Sequence, residues 1–398
     1  MADFDILISG GGVAGLTAAC IFGNAGFSVL CVDPAAPITD REAEGSDLRS
    51  TAFLQPAQAL LQRAGLWDRL APHAMPLETM RIIDAGGADG AARLTKSFAA
   101  SELSQLPFGW NLPNWLLRRE MLARIDELPG VEFRPGTGTA GLLTRDDEAI
   151  ITLSGGARAT ARLVIAADGR NSPIRHAAGI GVRTTRYGQK ALAFAVTHPI
   201  PHENVSTEIH RSGGPFTLVP LPDHEGMPSS AIVWMERGAE ALRLAALEEA
   251  PFEAAMNARS CHILGPLKLA SRRTVWPIIT QRAERMSAQR VALIAEAAHV
   301  VPPIGAQGLN MSLADIAALL DLAEKSRETL GSGAMLDAYS RARHADIVMR
   351  TTGIDLLNRA SMAGAQPLRD ARAMGLNALY AFAPVRRGLM RLGLGARG

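Results

Sequence analysis

The sequence is poor in cysteine, in aromatic residues and in charge of one sign. Its 398 residues include three cysteines, 5% aromatic residues and a formal net charge of +2. No CxxC pair occurs, so the sequence supports neither a disulfide framework nor a structural zinc site, and no metal is expected. A reducing compartment, the cytoplasm, fits this cysteine usage. The small net charge gives no reason to expect a nucleic-acid partner.

Long hydrophobic runs are also missing. No basic segment followed by an apolar stretch opens the chain, so no secretory signal is visible. The longest apolar stretches are interrupted well before the roughly 20 residues that a transmembrane helix requires. Any membrane contact is therefore expected to be peripheral. In contrast, 47% of the residues are hydrophobic and 38 are glycine, a composition typical of globular domains with many tight turns.

The order of the predicted elements indicates an α/β (α+β) fold with an insertion. Residues 4–33 form a β-turn-α-β unit, and alternating apolar segments between about 183 and 270 predict a mainly antiparallel sheet. Helices are predicted at residues 14–25, 56–70, 116–128, 309–325 and 336–360. The predicted division is a Rossmann-like domain of residues 1–73, 98–182 and 271–345, a sheet domain of residues 74–97 and 183–270, and a C-terminal helical, basic segment of residues 346–398.

A glycine pattern follows the first predicted strand. Gly10, Gly12 and Gly15 have the GxGxxG spacing and lead into a helix of small residues. The first glycine permits the tight turn, the second lets the backbone approach a pyrophosphate, and the third lets the helix pack on the strand. Asp33 ends the second strand, where a carboxylate can accept hydrogen bonds from a ribose. Together these features predict a dinucleotide site at the helix N-terminus.

Two further segments accompany the glycine pattern. Residues 167–175 read ADGRNSPIR after a predicted strand, and residues 294–310 contain IAEAAH followed by PPIGAQGLN, which leads into a helix. With the glycine turn, these segments resemble the three flavin signatures of FAD-dependent aromatic monooxygenases of the para-hydroxybenzoate hydroxylase-like fold. The sequences DLRSTA at 47–52, NLPN at 111–114 and LVPL at 218–221 are similar to the ubiquinone-biosynthesis hydroxylase family (UbiH/UbiF/VisC type). The resemblance covers essentially the whole chain.

This resemblance implies an FAD site built from all three signatures. The glycine turn and Asp33 would hold the ADP half, and Arg49 and Arg118 would contact the diphosphate and ribityl chain, because an arginine fork bridges phosphate and hydroxyl oxygens. A surface salt bridge is the alternative role for each arginine. The implied cofactor-binding residues are Gly10, Gly12, Val13, Ala14, Gly15, Asp33, Arg49, Arg118, Asp168, Gly169, Glu296, Pro303, Gly305, Ala306, Gln307, Gly308, Leu309 and Asn310.

The third signature departs from the family pattern at three positions. The family has Gly-Asp where this chain has Ala295-Glu296, and a glycine pair is common where it has Gly305-Ala306. Glu296 keeps the carboxylate on a longer side chain, whereas Ala295 adds a methyl group where the cofactor lies close. FAD binding is expected, in a weakened form.

The implied activity is hydroxylation of a phenolic ring. In this family NAD(P)H reduces the flavin, O2 adds to give a C4a-hydroperoxide, and its distal oxygen attacks the ring, so that the cofactor carries the chemistry. The implied substrate is a polyprenylated phenol of ubiquinone biosynthesis. Two alternatives remain open: a hydroxylase of a soluble aromatic compound, and a catalytically weak flavoprotein subunit that scaffolds a quinone-biosynthesis complex.

The sequence assigns no catalytic side chain with an independent signal. No Ser-His-Asp order, HExxH motif or paired carboxylates at a suitable spacing occur. His299, beside the third signature, is a candidate general base or, equally, a packed and hydrogen-bonded residue. Tyr187 and Trp234 are candidates for the substrate pocket, with packing in the core as the alternative.

The C-terminal segment is basic and rich in apolar residues. Between residues 359 and 398 seven arginines face one acid, Asp370, with leucine, methionine and aromatic residues between them. Such a segment is expected either to rest on anionic lipid, as a peripheral contact with the inner membrane, or to cap the fold with a solvated basic face.

Overall fold

The chain forms two large β-sheets and a small one, in a computed structural model that describes residues 2–87 and 90–394. The strands are β1 (Phe4–Ser9), β2 (Val29–Asp33), β3 (Ser50–Leu54), β4 (Met75–Leu77), β5 (Thr79–Asp84), β6 (Leu94–Ala99), β7 (Gly109–Pro113), β8 (Val131–Pro135), β9 (Thr139–Thr144), β10 (Ala149–Leu153), β11 (Arg158–Ala166), β12 (Val182–Thr197), β13 (Val205–His210), β14 (Pro215–His224), β15 (Met227–Arg237), β16 (Lys268–Leu269), β17 (Thr274–Ala283), β18 (Ser287–Ala288), β19 (Val291–Leu293) and β20 (His299–Val300). The helices are α1 (Val13–Asn24), α2 (Gln55–Arg63), α3 (Trp67–Leu70), α4 (Asn114–Asp126), α5 (Pro173–Ala177), α6 (Gly238–Ala245), α7 (Glu249–Arg259), α8 (Ala295–Ala298), α9 (Gln307–Lys325), α10 (Gly333–Ser361), α11 (Gln366–Ala381) and α12 (Ala383–Leu394).

The first large sheet is the nucleotide-binding half of the molecule. Its strand order is β18-β19-β11-β1-β2-β8, and β8, β2, β1, β11 and β19 run parallel. The β9-β10 hairpin joins the sheet through the antiparallel pairing of β10 with β11. These parallel strands are short apolar runs because helices cover both faces of the sheet. Helix α1 is buried on nearly all sides because its alanine and glycine residues let it lie close to the sheet and to α4.

The second large sheet carries its own core. Its order is β20-β17-β12-β15-β14-β13-β5-β6, mainly antiparallel, with β13 and β5 paired in parallel. Residues alternate between its two faces. Leu192, Phe194 and Trp234 form a separate apolar core with α6 and α7. Ala191 and Met235 point to the other face and belong to the main core, which includes the nucleotide-binding sheet. The second sheet therefore meets the first half of the molecule through one face.

The structure confirms the α/β (α+β) class, but it differs from the sequence prediction in three places. The predicted helix at 56–70 is two helices, α2 and α3, because the chain turns at Gly65, whose φ is +69°. The second sheet continues through β17 to Ala283, beyond the predicted boundary at residue 270, and the continuous helix α10 crosses the predicted boundary at residue 345. No helix within the described residues is both long and apolar enough to cross a bilayer.

Candidate flavin site

The glycine turn between β1 and α1 has the geometry that its spacing predicts. A Cβ atom on Gly10, whose φ is +114°, would lie 2.3 Å from the carbonyl oxygen of Ala167, and one on Gly15 would lie 1.9 Å from the carbonyl oxygen of Gly10. A Cβ atom on Gly12 would meet none of the described residues within 4 Å. Two glycines are thus required for packing, and the third faces open space at the N-terminus of α1. No described side chain caps that N-terminus, so its N–H groups face the same space and suit an anion.

Asp33, at the end of β2, lies beside this turn. Its Oδ2 atom accepts a hydrogen bond from the N–H of Gly11 at 2.6 Å, and its Oδ1 atom accepts one from the N–H of Ala35 at 2.8 Å. The carboxylate therefore fixes the turn, and its remaining lone pairs are available to ribose hydroxyls at the edge of the site.

Asp47 accepts hydrogen bonds from several side chains of the site, although its sequence context did not identify it as a site residue. The Arg49 side chain donates two hydrogen bonds to it, both at 2.8 Å, and Asn114 donates one at 3.0 Å. Arg118 Nη2 lies 3.4 Å from the same carboxylate. Burial alone would raise the pKa of the Asp47 carboxyl, but the bonds and charges of Arg49, Asn114 and Arg118 outweigh burial and lower it. The two arginines singled out from sequence are thus brought together by one carboxylate, and Arg49 also lies over the ring of Trp276, 5.4 Å from its centroid.

Asp168 follows β11 and faces the same region. Its Oδ2 atom accepts a hydrogen bond from the N–H of Ile174 at 3.1 Å and one from the Ser9 hydroxyl at 3.4 Å. Its buried Oδ1 atom has no hydrogen-bond partner among the described residues, and burial raises the pKa of this carboxyl. The next residue, Gly169, has a φ of +83° and open space where a side chain would be. A buried acceptor without a donor fits a ligand that carries hydroxyl groups, as FAD does in its ribityl chain.

The third signature keeps its backbone shape without two of the family's glycines. Ala295 and Ala306 have φ values of +55° and +56°, in the left-handed region that favours glycine. The Glu296 carboxylate is half-exposed and pairs with Arg170 at 3.1 Å. The two alanines thus adopt the turns that glycine makes at lower cost in the family pattern.

The bend at residues 302–310 is held by two amide side chains. Asn310 donates hydrogen bonds to the carbonyl oxygens of Ala52 and Ala306, both at 2.7 Å, and its oxygen accepts one from the N–H of Leu54 at 2.9 Å. Gln307 donates to the carbonyl oxygen of Gly305 at 2.8 Å. These bonds fix the bend against β3.

Space remains along the bend for a ligand. A Cβ atom on Gly308 would meet nothing within 4 Å in the described part of the chain, where no side chain caps the N-terminus of α9 either. Pro303 and Leu309 are half-buried on either side of Gly305. The free N–H groups of α9 present partial positive charge to a ring carbonyl placed there.

His299 is a buried, hydrogen-bonded residue. Its Nε2 atom lies 2.7 Å from Asp315 Oδ2, and Arg343 donates to Asp315 Oδ1 at 2.7 Å. Its Nδ1 atom is buried without a partner among the described residues. The structure supports the packed alternative for His299, as part of an ionic cluster that joins β20, α9 and α10.

Tyr187 and Trp234 occupy different environments. The Tyr187 hydroxyl is hydrogen-bonded to Thr280 Oγ1 at 2.7 Å and to the Asp355 carboxylate, and burial together with Asp355 raises the pKa of Tyr187 to about 12. Trp234 is packed between Phe216 and Phe252 on the sheet face covered by α6 and α7. For Trp234 the pocket prediction is therefore wrong: strand alternation turns it away from the nucleotide-binding half, into the core of the second sheet.

Small side chains line the face of β12 that belongs to the main core. Ala191 and Val233 belong to the same apolar cluster as Ile304 and Leu309 of the bend. Further along β12, a cavity of about 230 Å³ lies between this face and the start of α4. Apolar and small residues line much of it, among them Leu48, Pro113, Trp115, Ala195, Leu221 and Ser229. It is also lined by Arg41, His73, Arg119, Asp223 and His224. Sequence reasoning missed this cavity because its walls come from segments far apart in the chain.

FAD fits three features of the site: the open space at Gly12, the unpartnered oxygen of Asp168 and the two uncapped helix N-termini. The fold is that of an FAD-dependent aromatic monooxygenase. The FAD binding domain family matches residues 3–352. Ubiquinone hydroxylase UbiL of Rhodospirillum rubrum is 35% identical over 98% of this chain and 89% of its own. The 3-demethoxyubiquinol 3-hydroxylase of Escherichia coli is 28% identical over 98% of each chain. The chain belongs to the FAD binding domain family and, within it, to the ubiquinone-biosynthesis hydroxylases.

Solved structures show the same fold at low sequence identity. The p-nitrophenol 4-monooxygenase PnpA of Pseudomonas putida superposes with a TM-score of 0.80 at 19% identity, over 99% of each chain. The flavin-dependent monooxygenase PieE, solved with FAD and substrate, gives a TM-score of 0.72 at 19% identity, over 100% of this chain and 72% of that one. FAD is the cofactor of this protein.

Proposed function

We propose that this protein hydroxylates the ring of a polyprenylated phenol in ubiquinone biosynthesis, with FAD as cofactor, NAD(P)H as reductant and O2 as co-substrate. The observation that carries the proposal is the flavin site at the bend of residues 302–310, together with the cavity beside Ala195, whose walls come from both halves of the molecule. The prenyl chain of the substrate would occupy the cavity beside Ala195. The names of the UbiL and Escherichia coli relatives support a ubiquinone precursor as substrate.

Different residues of the site would bind different parts of FAD. The N-terminus of α1 and Gly12 would receive the diphosphate, Asp33 the adenosine ribose, and Arg49 and Arg118 the middle of the cofactor. When bound, FAD supplies the redox chemistry that activates dioxygen. The N–H groups at the start of α9 would favour negative charge on the flavin carbonyl side.

The sheet face excludes water from the reacting ring. Ala191, Ala193 and Ala195 alternate along β12, and none is more than 5% exposed. Their methyl groups offer no hydrogen bond to water. A dry site of this kind keeps activated oxygen for the substrate.

A comparison of two phenols tests the substrate assignment. We expect a lower KM for a phenol with a short prenyl chain than for the same phenol without one, because the chain buries apolar surface in the cavity. Ala195→Leu narrows the cavity and is expected to raise the KM of the prenylated phenol more than that of the other. Equal KM values for both phenols in the wild-type protein would favour a soluble aromatic substrate.

A weak flavoprotein subunit that scaffolds a quinone-biosynthesis complex is the second candidate. It is favoured by Ala295, which adopts a glycine conformation, and by Glu296, whose carboxylate pairs with Arg170. Purified protein that is yellow and consumes NAD(P)H faster when a phenol is added would reject this candidate. Colourless protein that FAD does not reconstitute would support it.

We also infer a peripheral contact with the inner membrane through residues 366–394. Seven of the sixteen large apolar side chains that are exposed in the described part of the chain lie in this segment. They are Leu368, Met374, Leu379, Phe382, Val385, Leu389 and Leu392. A lipid-soluble substrate would reach the protein from such a surface.

A further inference from the structure

Arginines make several of the contacts that attach the C-terminal helices α11 and α12 to the protein. Arg372 pairs with the buried Asp84 at 2.9 Å, and Arg386 pairs with Glu102 at 2.7 Å. Asp370, the acid of this segment, pairs with Arg93, the residue before β6. Of the basic residues that the sequence suggested for a solvated face, Arg372 and Arg386 are thus turned inward, whereas Arg359, Arg387 and Arg391 are exposed. Arg397 lies outside the described residues.

Helix α12 has two different apolar faces. Ala383, Arg386, Met390 and Leu394 follow one another at helical spacing and point inward, and Met390 and Leu394 are buried. On the opposite side, Leu389 and Leu392 are 47% and 51% exposed. A helix that only capped the fold would present polar side chains there. The outward apolar face therefore indicates a second surface on which α12 rests.

The inward face of α12 touches the bend of the flavin site. The side-chain nitrogen of Gln307 donates a hydrogen bond to the carbonyl oxygen of Gly393 at 3.0 Å. The side-chain oxygen of Gln307 accepts one from Arg350 at 2.6 Å. Gln307 is the first residue of α9, so the last turn of α12 is bonded directly to the residue that begins the flavin-facing helix.

The charges on α12 favour an anionic lipid surface as the partner of the outward face. Arg387 is 53% exposed by its side chain, Arg391 is exposed, and the sequence of α12 contains no acidic residue. In an interfacial helix, leucine side chains lie among the lipid acyl chains and arginines reach the headgroup phosphates. The side chains of α12 suit this arrangement.

We propose that α12 is a lid on the flavin bend that lifts when its outward face docks on anionic lipid. The proposal rests on the proposed function, in which the substrate comes from the membrane. Docking buries Leu389 and Leu392 in lipid. Helix α12 then tilts about Phe382, the residue between α11 and α12. The tilt withdraws Met390 and Leu394 from the protein and breaks the hydrogen bond from Gln307 to Gly393. The bend then opens on the side that faces the membrane, where a prenylated phenol enters.

Hydrogen exchange of the FAD-saturated full chain tests this coupling. The protein is mixed with vesicles of phosphatidylcholine alone or of phosphatidylcholine with phosphatidylglycerol, and exchange is followed by mass spectrometry for residues 302–310. We expect the phosphatidylglycerol vesicles to bind the protein and to raise exchange in the bend severalfold. Phosphatidylcholine vesicles are expected to have a smaller effect on both.

Two neighbouring residues of α12, one exposed and one buried, provide matched variants. Leu389→Glu charges the outward face, and we expect it to abolish vesicle binding and the exchange response without changing exchange in buffer. Met390→Ser weakens the inward face, and we expect faster exchange in the bend without any vesicle. Wild-type vesicle binding with unchanged exchange in the bend would overturn the lid.

Failure to bind phosphatidylglycerol vesicles would overturn lipid docking. Dimerisation that depends on protein concentration and that Leu389→Glu abolishes would also overturn it, because a second copy of the chain would then cover the outward face. The substrate assignment is tested separately, because the KM comparison of the two phenols is carried out in detergent without vesicles. If vesicles leave hydrogen exchange in the bend unchanged but the prenylated phenol has the lower KM, the lid is refuted and the proposed function stays in place.

Discussion

Gly12 and Gly15 lie three positions apart and have opposite physical requirements. Gly12→Val places a side chain in open space at the N-terminus of α1. We expect normal thermal stability and FAD binding that is weaker by roughly 10- to 100-fold, or about 1.4 to 2.8 kcal/mol, because the side chain occupies the diphosphate position. Fluorescence titration with FAD and a thermal melt measure the two effects.

Gly15→Ala is the matched variant for the fold. Its Cβ would lie 1.9 Å from the carbonyl oxygen of Gly10, so α1 must move away from β1. We expect a loss of about 1 to 3 kcal/mol in the free energy of unfolding, as in other overpacked cores. Equal stability of the two variants, or unchanged FAD affinity in Gly12→Val, would contradict the assignment of roles in the turn.

Asp168 makes stability depend on pH in a defined direction. Burial holds the pKa of its carboxyl above the ordinary value, so the folded protein binds more protons than the unfolded chain does. The contribution of Asp168 to stability is complete below the ordinary aspartate pKa of about 3.9 and is lost as pH rises through the folded-state pKa.

Asp168→Asn removes this dependence. We expect the variant without FAD to be more stable than wild type at neutral pH, where the buried charge is costly, with the difference shrinking as pH falls toward the ordinary aspartate pKa. Urea unfolding across this pH range measures it. A difference that is constant with pH would show that Asp168 does not titrate as a buried group.

The turn between β19 and α8 offers a substitution that should stabilise. Ala295 has a φ of +55°, and we expect Ala295→Gly to raise the free energy of unfolding by about 0.5 to 1 kcal/mol and to tighten FAD binding. Ala297→Gly, in the same helix, is the control and should cost about 0.5 to 1 kcal/mol. The expectation is wrong if both variants lose stability.

The ionic cluster of Asp315 and Arg343 joins α9 to α10. Both side chains are almost completely buried. We expect Asp315→Leu to cost about 3 to 5 kcal/mol because it leaves Arg343 without its main partner, and the double variant Asp315→Leu/Arg343→Met to recover most of that loss. Denaturant unfolding measures both. A double variant as unstable as the single one would show that the cluster matters through its shape rather than its charge.

The sequence predicts local geometry best where the residues involved are close together in the chain. The turn of Gly10, Gly12 and Gly15 and the acid at Asp33 lie within one β-turn-α-β unit, so their spacing determines their geometry. The same reasoning placed Trp234 incorrectly, because strand alternation shows that Val233 and Trp234 face opposite sides but not which side meets the nucleotide-binding half. It joined 56–70 into one helix because apolar spacing continues across Gly65.

At the scale of the whole molecule, the site is assembled from segments that no local pattern connects. Asp47, which also binds Arg49, pairs with Arg118 across 71 positions, and Gln307 meets Gly393 across 86. The cavity beside Ala195 has walls from both halves of the molecule. These contacts depend on how the second sheet and the C-terminal helices pack on the nucleotide-binding sheet, which amino-acid spacing does not specify.

The central claim is that this fold directs oxygen from O2 onto a prenylated phenol. The most direct measurement is mass spectrometry of the product formed by the FAD-saturated protein with NAD(P)H, a prenylated phenol and ¹⁸O-labelled dioxygen. We expect one ¹⁸O atom in a new ring hydroxyl, and no label when the ¹⁸O is supplied in water instead. Consumption of NAD(P)H without a hydroxylated product, or a product labelled from water, would contradict the account.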